Sequence, residues 1–465
     1  MHPIYHETTT LDNRCYETMD LTPEILMEHA GLALAKAVKK KLTCKDKALF
    51  ICGTGNNGAD GIVAARILHK SCSVALFIPF GVKSPMAKLQ LERAKKVGVP
   101  IVEKMIHSDV YVDALFGAGL NRELDEPSCK LLEKLNSHEG YKIACDIPSG
   151  IMSNLGLSKV IFKAHETITM GALKAGLLND NVKDFVGKIT VANLGISRAS
   201  YEMPSELFLL QKKDLKLPFR NQKNANKGSF GHVSVLCGQK EGACILSSLS
   251  AFHFGAGLVT AIGEKIKNLP PYIMHSSTLP KNTTALVAGM GLEEPFDEEM
   301  VRSLLLDNAL PLVIDASLCH SAMIREIVAS KKEIVLTPHP KEFSSILKLT
   351  CNEEVDTRTI QQNRFGYAKL FSQKFPHIVL VLKGANTIIA HENRLYINAF
   401  GTQALAKGGS GDVLSGMIGA LIAQGYTAKD ASISASLAQA LVAKKLTCNN
   451  FSLTPLDLCK GLKWL

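Results

Sequence analysis

The sequence predicts an α/β protein built as two tandem three-layer domains, each a largely parallel sheet covered by helices. Three observations predict it. Short β-rich runs alternate with amphipathic helical patterns along most of the 465 residues, a polar segment interrupts the alternation near the middle, and each half carries a glycine-rich strand-to-helix turn. With 46% hydrophobic and 21% charged residues the chain can bury sizeable cores. Its length fits about two to three ordinary domains.

In the first half the strand runs are ALFIC (48–52), SVALFI (73–78), VYVDALF (110–116), KIACDI (142–147), ETITM (166–170) and KITVANL (188–194). Between them EILMEHAGLALAKAVKK (24–40) and MAKLQLERAKKVG (86–98) repeat apolar residues every three and four positions, as amphipathic helices do. Residues 197–227 are polar and basic, hold two prolines and lose periodicity, so the seam is placed to give domains 1–206 and 207–465. Beyond it HVSVL, LVTAIG, TALVAG, PLVIDA, EIVLTP and IVLVLKG read as strands and VLSGMIGALIAQG as a helix. No internal repeat relates the halves, which are therefore different machines.

Composition narrows the setting. The first fifteen residues hold no apolar stretch of a secretory signal, and no window reaches the roughly 18 apolar residues of a membrane span, so a cytoplasmic protein with no membrane partner is expected. Twelve cysteines scattered from Cys15 to Cys459 without a Cys-x-x-Cys pair read as reduced thiols. The net charge of +10 sits in short groups such as Lys39-Lys40-Lys41 and Lys212-Lys213 without interleaved aromatics. That pattern describes solvated helix faces, not a nucleic-acid surface, while still attracting phosphorylated ligands.

The first glycine turn is Gly53-Thr54-Gly55-Asn56-Asn57-Gly58-Ala59-Asp60-Gly61, with a helix expected from Ile62. Its spacing satisfies Gly-x-Gly-x-x-Gly, yet about 20 positions on, where a dinucleotide fold needs an acid for the ribose, the chain reads SVALFIPFG. An ordinary dehydrogenase is disfavoured. Asp113 in VDALFGAGL and Asp146 in CDIPSG lie near strand C-terminal ends, which border the ligand crevice of open α/β sheets. Any of the three aspartates could move a proton.

These residues, with the helix LMEHAG, make the first half resemble the NAD(P)HX epimerase family, and hence a Rossmann-like domain. The resemblance implies contacts to a hydrated nicotinamide cofactor from Asn56, Asn57, Gly58, Ala59 and Asp60, from Gly117, Ala118, Gly119, Leu120, Asn121, Arg122 and Glu123, and from Asp146, also a candidate acid/base. It further implies K+ held by Asn57, Asp113 and Ser149, an oxygen-only set suited to a hard cation.

The second turn, Gly408-Gly409-Ser410-Gly411-Asp412, opens a helix rich in small residues. Free N–H groups at such a start stabilise charge on a transferring phosphoryl group, and an aspartate at its mouth can take the proton of an attacking hydroxyl. Gly289-Met290-Gly291, TPHPKE (337–342) and Lys383-Gly384-Ala385-Asn386-Thr387 each follow a strand. His339 between two prolines could bind ligand or merely shape the turn.

KGSFGHV, FGAGLVTA, GMGL, LTPHPKEF, VLKGANTIIA and GGSGDVLSG make this half resemble the ribokinase-like superfamily, and within it the ADP-dependent NAD(P)HX dehydratases. The resemblance implies hydrate contacts from Ala256, Gly291, His339 and Asp412, with Asp412 as base. Nucleotide contacts would come from Lys383, Gly384, Ala385, Asn386, Thr387 and Gly411, with Mg2+ accompanying ADP. Three segments depart from the family pattern: Asp315-Ala316-Ser317, Gly401-Thr402-Gln403 and Cys237-Gly238-Gln239. The expected whole is a homo-oligomeric bifunctional enzyme acting on NADHX and NADPHX. A ribokinase-like small-molecule kinase with a nucleotide-binding regulatory half, and a first half that only binds nucleotides or RNA ends, are the competing readings.

Overall fold

The computed structural model describes residues 1–153, 156–293, 295–446 and 448–465. The chain divides into one compact unit of Pro3–Ser205 and another of Glu206–Leu465 together with Met1–His2.

In the first unit a seven-stranded sheet runs Ile101–Val102, Ser73–Phe77, Lys47–Cys52, Val110–Ala114, Tyr141–Cys145, Glu166–Met170, Lys188–Ala192, with every neighbouring pair parallel. Strand Val110–Ala114 is buried along its whole length, Asp113 included, as a parallel strand covered on both faces is. Helix Pro23–Lys39 starts on a Thr22 cap with proline in its first turn and packs Leu26, Ala30, Leu34 and Val38 into one core. A separate short parallel pairing joins His2–Tyr5 to Leu173–Lys174 through Ile4 and Tyr5. The strand order reverses between Lys47–Cys52 and Val110–Ala114, and the C-terminal ends at such a switch point are where open α/β sheets take ligands.

The second unit orders its strands Met274–Ser276, Leu258–Ile262, His232–Leu236, Ala285–Ala288, Leu312–Ile314, Ile334–Leu336, Ile378–Leu382, Thr387–His391, Arg394–Asn398, Leu207–Leu209. The pairings are parallel except on either side of Thr387–His391, which is antiparallel to both neighbours. The hairpin of Thr387–His391 and Arg394–Asn398 is additional to the strands expected from sequence, the last of which is IVLVLKG. Here the switch point lies between His232–Leu236 and Ala285–Ala288.

Helix Ser410–Ala423 is buried from Val413 to Ala423 and packs on helix Glu241–His253 and on the central strands. Its small residues permit that depth. A Cβ on Gly416 would lie 2.1 Å from the Ser247 carbonyl oxygen, and one on Gly419 2.4 Å from Val287 Cγ2. Gly416→Ala is therefore expected to cost about 1–3 kcal/mol through overpacking. Urea unfolding followed by circular dichroism checks this: the midpoint of the second unit should fall, and an unchanged midpoint would contradict the close approach.

Candidate functional site

Each unit gathers charged side chains at the C-terminal ends of its strands. In the first, helix Asn56–Leu68 begins directly after Gly53-Thr54-Gly55 and not at Ile62, a correction to the sequence expectation. The reason is packing: a Cβ on Gly58 would meet Gly53 O at 2.1 Å, and one on Gly61 would meet Ala114 Cβ at 2.7 Å. These glycines bring helix onto strand; they do not extend the loop. Asn57 and Asp60 consequently lie one turn apart on a shared helix face, while Asn56 is exposed.

Asp113 and Ser149 are fully buried. The Asp113 carboxylate accepts from Ser149 Oγ at 2.7 Å, Ser149 N at 2.8 Å and Leu115 N at 3.1 Å, and Ser149 Oγ accepts from Phe116 N at 3.0 Å. Burial, against these hydrogen bonds, pushes the Asp113 carboxyl up to about 6. Asn57 abuts the same turn: its Oδ1 would lie 3.1 Å from a Cβ on Gly117, and both polar atoms of its amide are buried without a hydrogen-bond partner. Such an orphaned amide beside a carboxylate and a hydroxyl is a fitting donor set for a hard cation.

Asp146 sits just beyond strand Tyr141–Cys145 with φ 67°, in the left-handed region. Its Oδ1 receives Lys174 Nζ at 2.7 Å and Met170 N at 3.1 Å, and its Oδ2 receives Ala118 N at 3.1 Å. Burial alone would raise this carboxyl, but the Lys174 ammonium and the backbone donors hold it below the usual range. Asp60 has the opposite fate. Burial, then the charges of Asp146 and Asp12, push it well above the ordinary value, against a weaker pull from Lys174. Asp12 accepts from Tyr201 Oη at 2.7 Å, and the Tyr201 ring packs so tightly on Gly171 that a Cβ there would lie 2.5 Å from Oη. From the loop 117–123, Gly117 and Ala118 reach Asn57 and Asp146. Leu120 is half-buried, and Gly119, Asn121, Arg122 and Glu123 are exposed.

In the second unit Gly409 adopts φ 90° to start helix Ser410–Ala423, which sets Asp412 in the first turn, where its carbonyl accepts from Ser247 Oγ at 2.6 Å. Lys383 Nζ contacts Asp315 at 2.7 Å and Glu342 at 3.7 Å, and would lie 3.3 Å from a Cβ on Gly411. Ser415 Oγ donates to Asp315 at 2.8 Å. Asp412 is pushed up to about 6 by burial and by Asp315, with Lys383 opposing. Asp315 would rise on burial, yet Lys383 and Ser415 hold it low.

His339 caps helix Pro340–Ile346: its Nδ1 accepts from Lys341 N and Glu342 N, both at 3.2 Å, and its Nε2 meets Glu342 at 3.2 Å. Gly291, at φ 68°, lets the chain pass Lys240 O, which a Cβ would approach to 2.5 Å. Gln239, in a departing segment, accepts from Glu293 N at 2.8 Å and so ties this loop. Ala256 is not brought to the site. It lies between helix Glu241–His253 and strand Leu258–Ile262, at the strand's opposite end, and is buried where that connection turns.

Sequence reasoning missed Lys174, Asp12, Tyr201, Ser247, Glu342 and Ser415. Two signals were available: Lys174 follows strand Glu166–Met170 as the aspartates follow theirs, and Glu342 stands three residues after the His339 cap. A hollow of about 850 Å3 along Lys188–Ala192, lined by Lys36, Lys40 and Lys41, lies apart from the aspartates. Among the described residues no helix is long and apolar enough to cross a membrane.

Comparison with known proteins gives two family matches: one described as YjeF-related protein N-terminus over residues 23–176, and one described as NAD(P)H-hydrate dehydratase over residues 233–463. A Helicobacter pylori protein named bifunctional NAD(P)H-hydrate repair enzyme Nnr is 42% identical, covering 100% of both chains. A Coxiella burnetii protein of the same name is 32% identical over 86% of this chain and 85% of that one. Among solved structures, an ADP/ATP-dependent NAD(P)H-hydrate dehydratase from Bacillus subtilis, co-crystallised with ATP and Mg2+, shares 26% identity at a TM-score of 0.46, covering 53% of this chain and 92% of that one.

The Lys174–Asp146 contact can be tested by itself. Removing one partner of a buried ion pair leaves the other uncompensated, so Lys174→Met should destabilise the first unit by about 3–5 kcal/mol and raise the Asp146 carboxyl, as read by thermal unfolding and carboxyl NMR titration. A variant as stable as the parent would show the pair to be energetically idle.

Proposed function

The chain belongs to the bifunctional NAD(P)H-hydrate repair enzymes, and on that premise we propose that its first unit interconverts the R and S hydrates of NADH and NADPH while its second dehydrates the S hydrate with ADP. The observation that carries the reading is Asp412 at the start of helix Ser410–Ala423, with the Lys383 ammonium beside Gly411.

Asp412 in its ionised form takes the proton of the hydrate's hydroxyl, whose oxygen attacks the β-phosphorus of ADP as AMP departs. The N–H groups around Gly411 and the Lys383 ammonium stabilise the charge that develops on the transferred group. The ring nitrogen's electron pair then expels phosphate, the adjacent ring carbon gives up a proton, and the dihydropyridine is restored. Mg2+ bound to the nucleotide would neutralise phosphate charge. It would enter with ADP, because Asp315 and Glu342 are already engaged by Lys383.

For epimer exchange the opposite displacements of Asp60 and Asp146 supply the two roles. Protonated Asp60 gives its proton to the leaving hydroxyl while the ring nitrogen's electron pair assists, and ionised Asp146 takes a proton from the water that adds to the other face. Asn57, Asp113 and Ser149 would hold K+, which supplies fixed positive charge beside the loop carrying Gly117.

The decisive assay mixes hydrated NADH with ADP and follows the dihydronicotinamide absorbance and free phosphate. A small-molecule kinase would instead yield a stable phosphorylated product. Asp412→Asn should abolish ADP-driven recovery and leave epimer exchange, while Asp146→Asn should slow exchange alone; dehydration surviving in Asp412→Asn would remove Asp412 as base. Since Asp412 titrates at about 6 and must be ionised to act, the parent's dehydration rate should fall toward tenfold per pH unit below that value. A flat profile down to pH 5 would contradict it.

Asp113 is ionised only above about 6, so stabilisation of the first unit by KCl over choline chloride should grow as pH rises through that value and vanish in Asp113→Asn. Equal melting in both salts at pH 8 would remove the ion from the site.

A further inference from the structure

Lysine is a flexible side chain, and ordering it costs rotamer entropy, so a lysine that must meet a phosphate benefits from having its backbone pinned. At Lys383 both ends are held. Its N–H donates to Pro338 O at 2.9 Å, and its Nζ rests on Asp315 at 2.7 Å. The remaining backbone group, its carbonyl, is held by a residue that neither the family matches nor the sequence motifs single out.

That residue is Arg364, the first of helix Arg364–Lys374 and only 2% exposed. Its guanidinium donates to the carbonyls of Asn386 at 2.9 Å, Leu382 at 3.0 Å and Lys383 at 3.1 Å. These carbonyls bracket the turn between the antiparallel strands Ile378–Leu382 and Thr387–His391. Three carbonyl dipoles converging on one buried point repel one another, and left unpaired each would bear the desolvation cost of an unsatisfied acceptor. The planar fork of arginine can serve all three at once; an ammonium on a shorter stem cannot keep the same spread of donors.

We propose that Arg364 is a positioning residue for the nucleotide: by drawing the Leu382, Lys383 and Asn386 carbonyls onto itself, it sets the turn Lys383–Thr387 and aims the Lys383 ammonium at the mouth of the Gly411 loop. This rests on the reading of Lys383–Thr387 as the nucleotide-binding segment. Arg364 itself touches no reacting atom, and its influence reaches the reaction through Lys383.

The test uses the full-length enzyme, hydrated NADH and ADP, with epimer exchange in the first unit as an internal control for intact protein. Arg364→Lys should raise the KM for ADP about tenfold and lower kcat for dehydration with it, and the melting midpoint should fall as carbonyl contacts are lost, while the KM for the hydrate and epimer exchange stay close to the parent's. Lys383→Gln should also raise the KM for ADP. If it does not, the nucleotide reading of the turn fails; if it does while Arg364→Lys leaves that KM unchanged, the positioning role fails. A variant in which the KM for the hydrate rises in step with the KM for ADP would also overturn the proposal, leaving Arg364 as a fold residue only. Should Arg364→Lys not accumulate as folded protein, Arg364→Ala supplemented with millimolar guanidinium gives the same reading. Restored ADP affinity, absent with NaCl at equal ionic strength, supports it, and no restoration overturns it.

Discussion

An ammonium buried against a carboxylate at the C-terminal edge of a parallel sheet is the contact on which both sites depend. Lys174 meets Asp146 at 2.7 Å in the first unit, and Lys383 meets Asp315 at 2.7 Å in the second. Taking two charges out of water is costly, and such a pair persists only where further hydrogen bonds complete it. Asp146 has the Met170 and Ala118 amides; Asp315 has Ser415 and Ala316 N. The consequence differs between the halves. In the first, the pair fixes the charge of Asp146, which adds to burial in pushing Asp60 the other way. In the second, the pair lies beneath the glycine loop, and the carboxylate displaced upward is Asp412.

The strands were legible because sheets covered on both faces impose continuous apolar runs, and HVSVL and IVLVL are buried at every position. Asp113 and Asp146 were legible for a related reason, since both stand at the C-terminal ends of strands, where open α/β sheets place their ligand crevice. What could not be read was partnership. Ser415 is a hundred residues from Asp315, and Tyr201 is 189 from Asp12; no local pattern links them. His339 was ambiguous between binding and shaping the turn, and the capping bonds give its imidazole a definite structural task. Ala256 lies apart from the other residues, and this was not legible because a glycine-rich segment carries no sign of which strand end it occupies; this one returns the chain to a strand start.

Two of the three departing segments have local accounts. Asp315 holds the N–H of Ala316 with its own side chain, and Ala316 takes φ 49° without the glycine that such a conformation favours. Gln239 spans to the loop after Gly291, where a smaller residue would leave Glu293 N without that partner.

The Tyr201–Asp12 hydrogen bond also sets an order of assembly. Because it spans nearly the whole first unit and no part of the second, the first crevice can close as soon as the segment around residue 205 has left the ribosome, before most of the second sheet has been synthesised. The second unit cannot close early. Its strand Leu207–Leu209 pairs with Arg394–Asn398, and its buried helix Ser410–Ala423 arrives close to the chain's end. During translation the contacts of the first unit can therefore be complete while strand Leu207–Leu209 still waits for Arg394–Asn398.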